Sequence, residues 1–227
     1  AVYAAAMNGN YESLEKLLAA GADVNMVSEA GHAPLQRAAS KGAIECVQLL
    51  LAAGADVNYV DPEGRTALIM SVNSGVAEVA SLLLAAGADV NVQEKEYGAS
   101  AAVYAAGMRA PAFVRLLLQA GPDLELKDKA GMTALLQSAV VGDTEQLQML
   151  SDAGADAQAV DKEGNSALML AVRNSHNEAA QYLLSVGQNV NAANCKGWRP
   201  LHVAAGIGNV DLVQMLLAAG ADVAAED

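Results

Sequence analysis

The chain repeats itself every 33 residues, and no other feature constrains its fold as strongly. Variants of the string Leu-Leu-x-x-Gly-Ala-Asp-Val-Asn recur, with the glycine at Gly21, Gly54, Gly87, Gly121, Gly154, Gly187 and Gly220. The steps are 33, 33, 34, 33, 33 and 33 residues. A second series, Gly31, Gly64, Gly98, Gly131, Gly164 and Gly197, steps by 33, 34, 33, 33 and 33. The one extra residue therefore falls between Gly87 and Gly98. Seven copies fill the 227 residues as a single array, approximately 1–27, 28–60, 61–94, 95–127, 128–160, 161–193 and 194–227, with no linker between them. The first copy is truncated at its N-terminus.

Each copy reads as the same short unit. In Asp61-Pro62-Glu63-Gly64, Pro and Gly sit where a turn prefers them. Thr66 is a plausible helix N-cap, and Leu68, Ile69 and Val72 form a short apolar stripe. Asn73-Ser74-Gly75 breaks it. A second helix starts near Ala77-Glu78, carries Val79, Leu82, Leu83 and Leu84 at helical spacing, and ends at Gly87 in the C′ position. Helices of two to three turns cannot bury their apolar faces alone. Stacked on their neighbours, they share one continuous core.

Composition narrows the function. With 13 Lys+Arg against 26 Asp+Glu the formal net charge is −13, which argues against a nucleic-acid phosphate backbone as partner. Fifteen of the 26 acids recur at fixed repeat positions, as the finger Asp (Asp23, Asp56), the acid opening the second helix (Glu12, Glu45) or the turn Asp (Asp61, Asp128). Most of the charge therefore belongs to the scaffold and not to one acidic patch. No apolar run approaches the roughly 20 residues that span a bilayer, so no membrane insertion is expected. Cys46 and Cys195 are too few for a disulfide framework. They fit reduced thiols and a cytoplasmic, reducing location, Cys46 as a small core residue and Cys195 in an exposed turn.

No chemistry-bearing constellation stands out. His32, His176 and His202 have no Ser or Cys nucleophile at a recognisable spacing. The acids are spread one per repeat instead of converging in one loop, so no metal site is expected. Gly206-Ile207-Gly208 is half a dinucleotide fingerprint, but it sits in an inter-helix turn and follows no strand. No cofactor and no catalysis are expected.

The stretches Gly197-Trp198-Arg199-Pro200-Leu201-His202-Val203-Ala204-Ala205, Gly208-Asn209-Val210-Asp211-Leu212-Val213 and Leu216-Leu217-Ala218-Ala219-Gly220-Ala221-Asp222-Val223 closely resemble the ankyrin repeat. The resemblance covers essentially the whole chain. It implies an all-α solenoid of antiparallel helix pairs with β-hairpin-like fingers, whose fingers and first helices line a concave binding surface. It also implies a protein–protein interaction scaffold. The alternative is a sensing or tethering module of a larger enzyme, channel or effector whose active part lies outside this chain.

Departures from the family pattern are informative. Only the seventh copy keeps the His of the Thr-Pro-Leu-His tetrapeptide, as His202, a turn-capping residue; the other copies place Gln36, Ile69, Val103, Leu136 and Met169 there. In the fourth copy Arg109 occupies a turn position that is Gly in copies two, three, five and seven, and it is strained if that position needs a positive φ. Together with the inserted residue, this marks the fourth copy as the weak link. The Asn that ends the finger motif (Asn25, Asn58, Asn91) is a finger-shaping residue.

By the resemblance, contacts come from the turn, the residue after its Gly and the residues before the inter-helix turn. Large apolar or aromatic residues at positions expected to face solvent are Tyr97, Met108, Met132, Val140, Val141, Trp198 and Ile207, with Arg173 and Lys196 nearby. Trp, Tyr and Arg are the types enriched at binding hot spots. These nine residues are the expected contacts for a protein or peptide partner. The apolar second helix of the seventh copy and the abrupt start at Ala1-Val2-Tyr3 also predict further chain beyond one or both ends, and weak self-association through uncapped ends.

Overall fold

In the computed structural model residues 1–224 are described; the last three residues of the expected seventh repeat, 225–227, lie outside the described residues. Fourteen α-helices form among the described residues, in pairs joined by short turns. They are α1 (Val2–Asn8) with α2 (Tyr11–Ala19), α3 (Pro34–Lys41) with α4 (Ile44–Ala52), α5 (Ala67–Ser74) with α6 (Ala77–Ala85), and α7 (Ala101–Gly107) with α8 (Pro111–Gln119). Then come α9 (Ala134–Val141) with α10 (Thr144–Asp152), α11 (Ala167–Arg173) with α12 (Asn177–Ser185), and α13 (Pro200–Ile207) with α14 (Val210–Ala218).

The caps explain where these helices start and stop. Thr66, Thr133 and Ser166 each accept the backbone N–H three residues on, at 3.3 Å, so α5, α9 and α11 begin with a satisfied donor. In α3 and α13, which have no Ser or Thr cap, the third residue takes over. The Gln36 Oε1 accepts from Ala33 N–H at 2.9 Å, and the His202 Nδ1 accepts from Arg199 N–H at 3.2 Å. Gln36 also donates to Arg65 O in the next finger, at 2.6 Å. Gly42, Gly75, Gly142 and Gly208 end first helices at φ of 71–74°. Arg109 and Ser175 hold the same turn position at φ 52° and 58°. Arg109 is thus in the left-handed region, as its sequence position suggests. Its guanidinium reaches Val141 O, at 2.9 Å from Nε, which offsets part of the strain.

The chain divides into two units, Ala1–Tyr104 with Arg115–Pro122, and Ala105–Val114 with Asp123–Asp227. In the first, α1, α3 and α5 pack side by side as one layer and α2, α4 and α6 as another. In the second, α9, α11 and α13 form one layer and α10, α12 and α14 the other. The core lies between the layers. Leu50, Leu83, Leu117, Leu150, Leu183 and Leu216, which follow the repeat period, are all 0–1% exposed. Each contributes about 1.5–3 kcal/mol by leaving water.

Between helix pairs the chain makes narrow hairpin fingers. Their closing bonds run from Asp61 N–H to Arg65 O (3.1 Å), Asp128 to Met132 (3.0 Å), Asp161 to Asn165 (3.1 Å) and Asn194 to Trp198 (2.9 Å). Neighbouring fingers join directly. Lys162 N–H donates to Ala130 O at 3.0 Å, and Cys195 N–H donates to Glu163 O at 2.9 Å. Gly131 is required twice over: its φ is 82°, and a Cβ there would stand 2.7 Å from Lys162 N. The motif asparagines also bridge fingers. The Asn58 amide donates to Gly87 O (3.1 Å) and accepts from Asp89 N–H (2.7 Å), and Asn25 and Asn191 repeat the pattern.

The inserted residue has a structural answer in the side chain of Glu94. The other turns use Ser28, Asp or Asn, as when Asp161 accepts from Glu163 and Asn165 N–H at 2.9 and 2.8 Å. The turn that is one residue longer uses the acid that is one methylene longer. Buried Glu94 accepts from the N–H groups of Glu96, Tyr97 and Ala99 at 2.5, 2.7 and 3.1 Å, and from the Tyr104 hydroxyl. Burial alone would push its carboxyl up in pKa. These donors outweigh burial and hold it below its ordinary value. Burial and the adjoining Glu94 charge push Tyr104 up to about 12.

Candidate functional site

Four of the nine expected contact residues, Arg173, Lys196, Trp198 and Ile207, line one cleft of about 340 Å³ in the second unit. The finger positions two of them. The Asn194 Oδ1 accepts from Lys196 N–H (3.0 Å) and Trp198 N–H (3.1 Å), and Gly197 turns the chain at φ 83°. Asn194 is in turn held by the previous finger, its amide donating to Asn165 Oδ1 at 2.9 Å. Asn165 is buried and donates to Asp161 Oδ2 at 2.8 Å. Lys196 and Trp198 therefore project from a braced turn and not from a free loop.

Helices supply the other side. Arg173 is the last residue of α11 and Ile207 the last of α13. A helix of eight residues rises about 12 Å, so the cleft runs from the finger at Trp198 to the helix ends at Ile207. Met169 and Val203, on the first helices, are 1% and 6% exposed and form the apolar floor. Trp198 and Ile207 are 47% and 45% exposed and rise above it. Glu163, Asn165, Asn194 and Gly206 complete the lining. Sequence reading passed over Met169 and Val203 as lining residues. Met169 stands where the family pattern has its capping His, and that departure was the available signal.

The remaining expected contacts lie elsewhere. Tyr97 belongs to the first unit and is exposed, and Met108 is exposed in the second. Val140 and Val141 are half-buried, and their carbonyls are occupied by His176 Nε2 (2.9 Å) and by Arg109. Met132 is a correction, because it is buried at 8% exposure instead of facing solvent. The following finger is held against this one at Ala130 and lies over the position after the turn glycine. The same packing buries His32 and Asn165.

A second cluster has the residue types of a metal site. His32 Nδ1 is 3.2 Å from Asp61 Oδ2 and 3.8 Å from Glu63 Oε2. The Arg65 guanidinium, however, stands 2.9 Å from both carboxylates and supplies the positive charge a metal would bring. Burial would raise the Asp61 pKa. The Arg65 N–H and guanidinium, with His32, more than offset it and keep the carboxyl below its usual range. The cluster is an ion network tying one finger to the next. Each histidine has a structural partner: His32 with Asp61, His176 with Val140 O, and His202 with Arg199 N–H. Cys46 is buried and Cys195 exposed, both as free thiols, and burial pushes the Cys46 thiol up in pKa.

Among the described residues no helix is long and apolar enough to cross a membrane. A family model for ankyrin repeats, three copies long, matches residues 2–94 and again 135–227. Among solved structures, the human ASB11 ankyrin repeat domain is similar, with 27% identity, a TM-score of 0.86, and coverage of 98% of this chain and 99% of that one. No curated protein matches the chain in sequence. Helix pairs, hairpin fingers and the two family matches agree, and the chain belongs to the ankyrin repeat family, whose fold is a common protein–protein interaction module.

Proposed function

We propose that this chain is a single seven-repeat array that recognises a protein or peptide and catalyses no reaction. Its partner docks in the cleft where Trp198, Ile207, Arg173 and Lys196 meet. That convergence carries the reading. An apolar floor, two raised large side chains and two cations around about 340 Å³ match the anchor pockets of protein interfaces. Exposed Tyr97 and Met108 add contacts of their own. The structural duties of all three histidines support the absence of catalysis, and the net charge of −13 supports a partner that is not nucleic acid. Two free thiols suit a reducing, cytoplasmic setting.

The test is a comparison of captured proteins. Cell extract is passed over the wild-type chain and over the Trp198→Ala/Ile207→Ala variant, with helicity checked for both. A partner that binds the first and is lost at least tenfold from the second supports the site, since buried hot-spot truncations typically cost about 2 kcal/mol or more. Partners retained equally by both chains refute it.

A further inference from the structure

The charges around the cleft say more about its occupant than its apolar floor does. On a chain of net charge −13, the lining carries two cations, Arg173 and Lys196, and one carboxylate, Glu163. Neither cation forms an ion pair among the described residues, whereas Arg65 and Arg199 do. Their positions differ. Lys196 and Glu163 are both at finger turns and carry opposite charges. Arg173 stands at the other end, on the last turn of α11, with Ile207 of α13 also lining that end. It is exposed, and no acidic residue lines the cleft beside it. Part of its charge offsets the carbonyl end of its own helix, and the rest faces the cleft.

Resting on the reading of the cleft as a docking site, we propose that its occupant is a peptide segment of a partner protein with a large apolar side chain and a carboxylate within two residues of it. The apolar side chain enters between Trp198 and Ile207, over Met169 and Val203. The carboxylate pairs with the Arg173 guanidinium, whose planar fork suits bidentate binding. About 340 Å³ accommodates one or two side chains and not a folded surface. The acidic remainder of the chain repels carboxylates elsewhere along its surface, so the peptide acid is held where Arg173 stands and charge fixes the register of the bound segment.

A displayed random-peptide library panned on the whole chain tests this, followed by titration of the enriched peptides against the fluorescence of Trp198, the only tryptophan. The expected peptides share Leu, Ile, Phe or Trp with Asp or Glu within two positions, and they quench or shift the Trp198 emission. Arg173→Glu weakens them about tenfold or more, Arg173→Gln by less, and exchanging the peptide acid for Lys restores binding to Arg173→Glu. Because Arg173 is exposed, both variants keep the fold, which circular dichroism verifies. Peptides that depend on Ile207 and change the Trp198 signal, yet carry no acid or ignore Arg173→Glu, overturn this inference and leave the docking site standing. Peptides indifferent to Trp198→Ala and Ile207→Ala, or no enriched peptide at all, overturn both.

Discussion

Replacing Glu94 with alanine removes the acceptor around which the one long finger turn is built. Four donors lose it: the N–H groups of Glu96, Tyr97 and Ala99 and the Tyr104 hydroxyl. Glu96 and Tyr97 are exposed, so water takes the place of the carboxylate there and each loss costs about 1 kcal/mol net. Ala99 is 3% exposed, and its N–H is left without a partner at about 1–3 kcal/mol. Allowing for relief of the buried charge, the variant should lose about 3 kcal/mol. Urea unfolding followed by circular dichroism measures this, with Glu96→Ala, an exposed neighbour, as a control expected to change little. Hydrogen exchange should accelerate around residues 94–102. The dependence on pH has a definite sign. The Glu94 carboxyl titrates below its ordinary value of 4.5, so its stabilisation is complete above that pH and is lost as pH falls through the folded value. Wild type and Glu94→Ala should therefore converge in stability in acid. A loss under about 0.5 kcal/mol at pH 7, or a gap that stays constant into acid, would refute the cage.

Arg109→Gly should leave the melting temperature nearly unchanged, because relief of about 1 kcal/mol of left-handed strain offsets loss of the guanidinium bond to Val141 O. Arg109→Ala keeps the strain and loses the bond, so it should melt lower than both in the same scan. Asn58→Ala unpairs Gly87 O and Asp89 N–H at an exposed finger junction and should cost about 1 kcal/mol in denaturant unfolding. Leu150→Ala, at a position 1% exposed, should cost about 2–5 kcal/mol; a cost under 1 would show that the layers can close around the cavity.

Much of this protein was legible as text because a repeat reports the same local physics many times over. The glycine series marked turns that need a positive φ, Thr66 marked a helix start, and the apolar stripes marked the buried faces of both helices. Arg109 was legible as strained for the same reason, since its neighbours in register are glycines. The inserted residue was visible as well, but as a defect. Nothing in the sequence said that Glu94 closes the longer turn, because that depends on donors up to ten residues away converging on one buried carboxylate.

The contact surface was legible only by residue type. Met132 and Trp198 occupy the same place after a turn glycine, and the sequence treats them alike. The structure separates them. Met132 is buried under the following finger, and Trp198 opens onto the cleft with Arg173, Lys196 and Ile207. Local sequence by itself determined the period, the helices, the turns and the apolar faces, because these follow from neighbouring residues and backbone sterics. Tertiary structure alone decided which side chains meet, because Trp198 and Arg173 come from different repeats and face one cleft only once finger and helix have stacked on their neighbours.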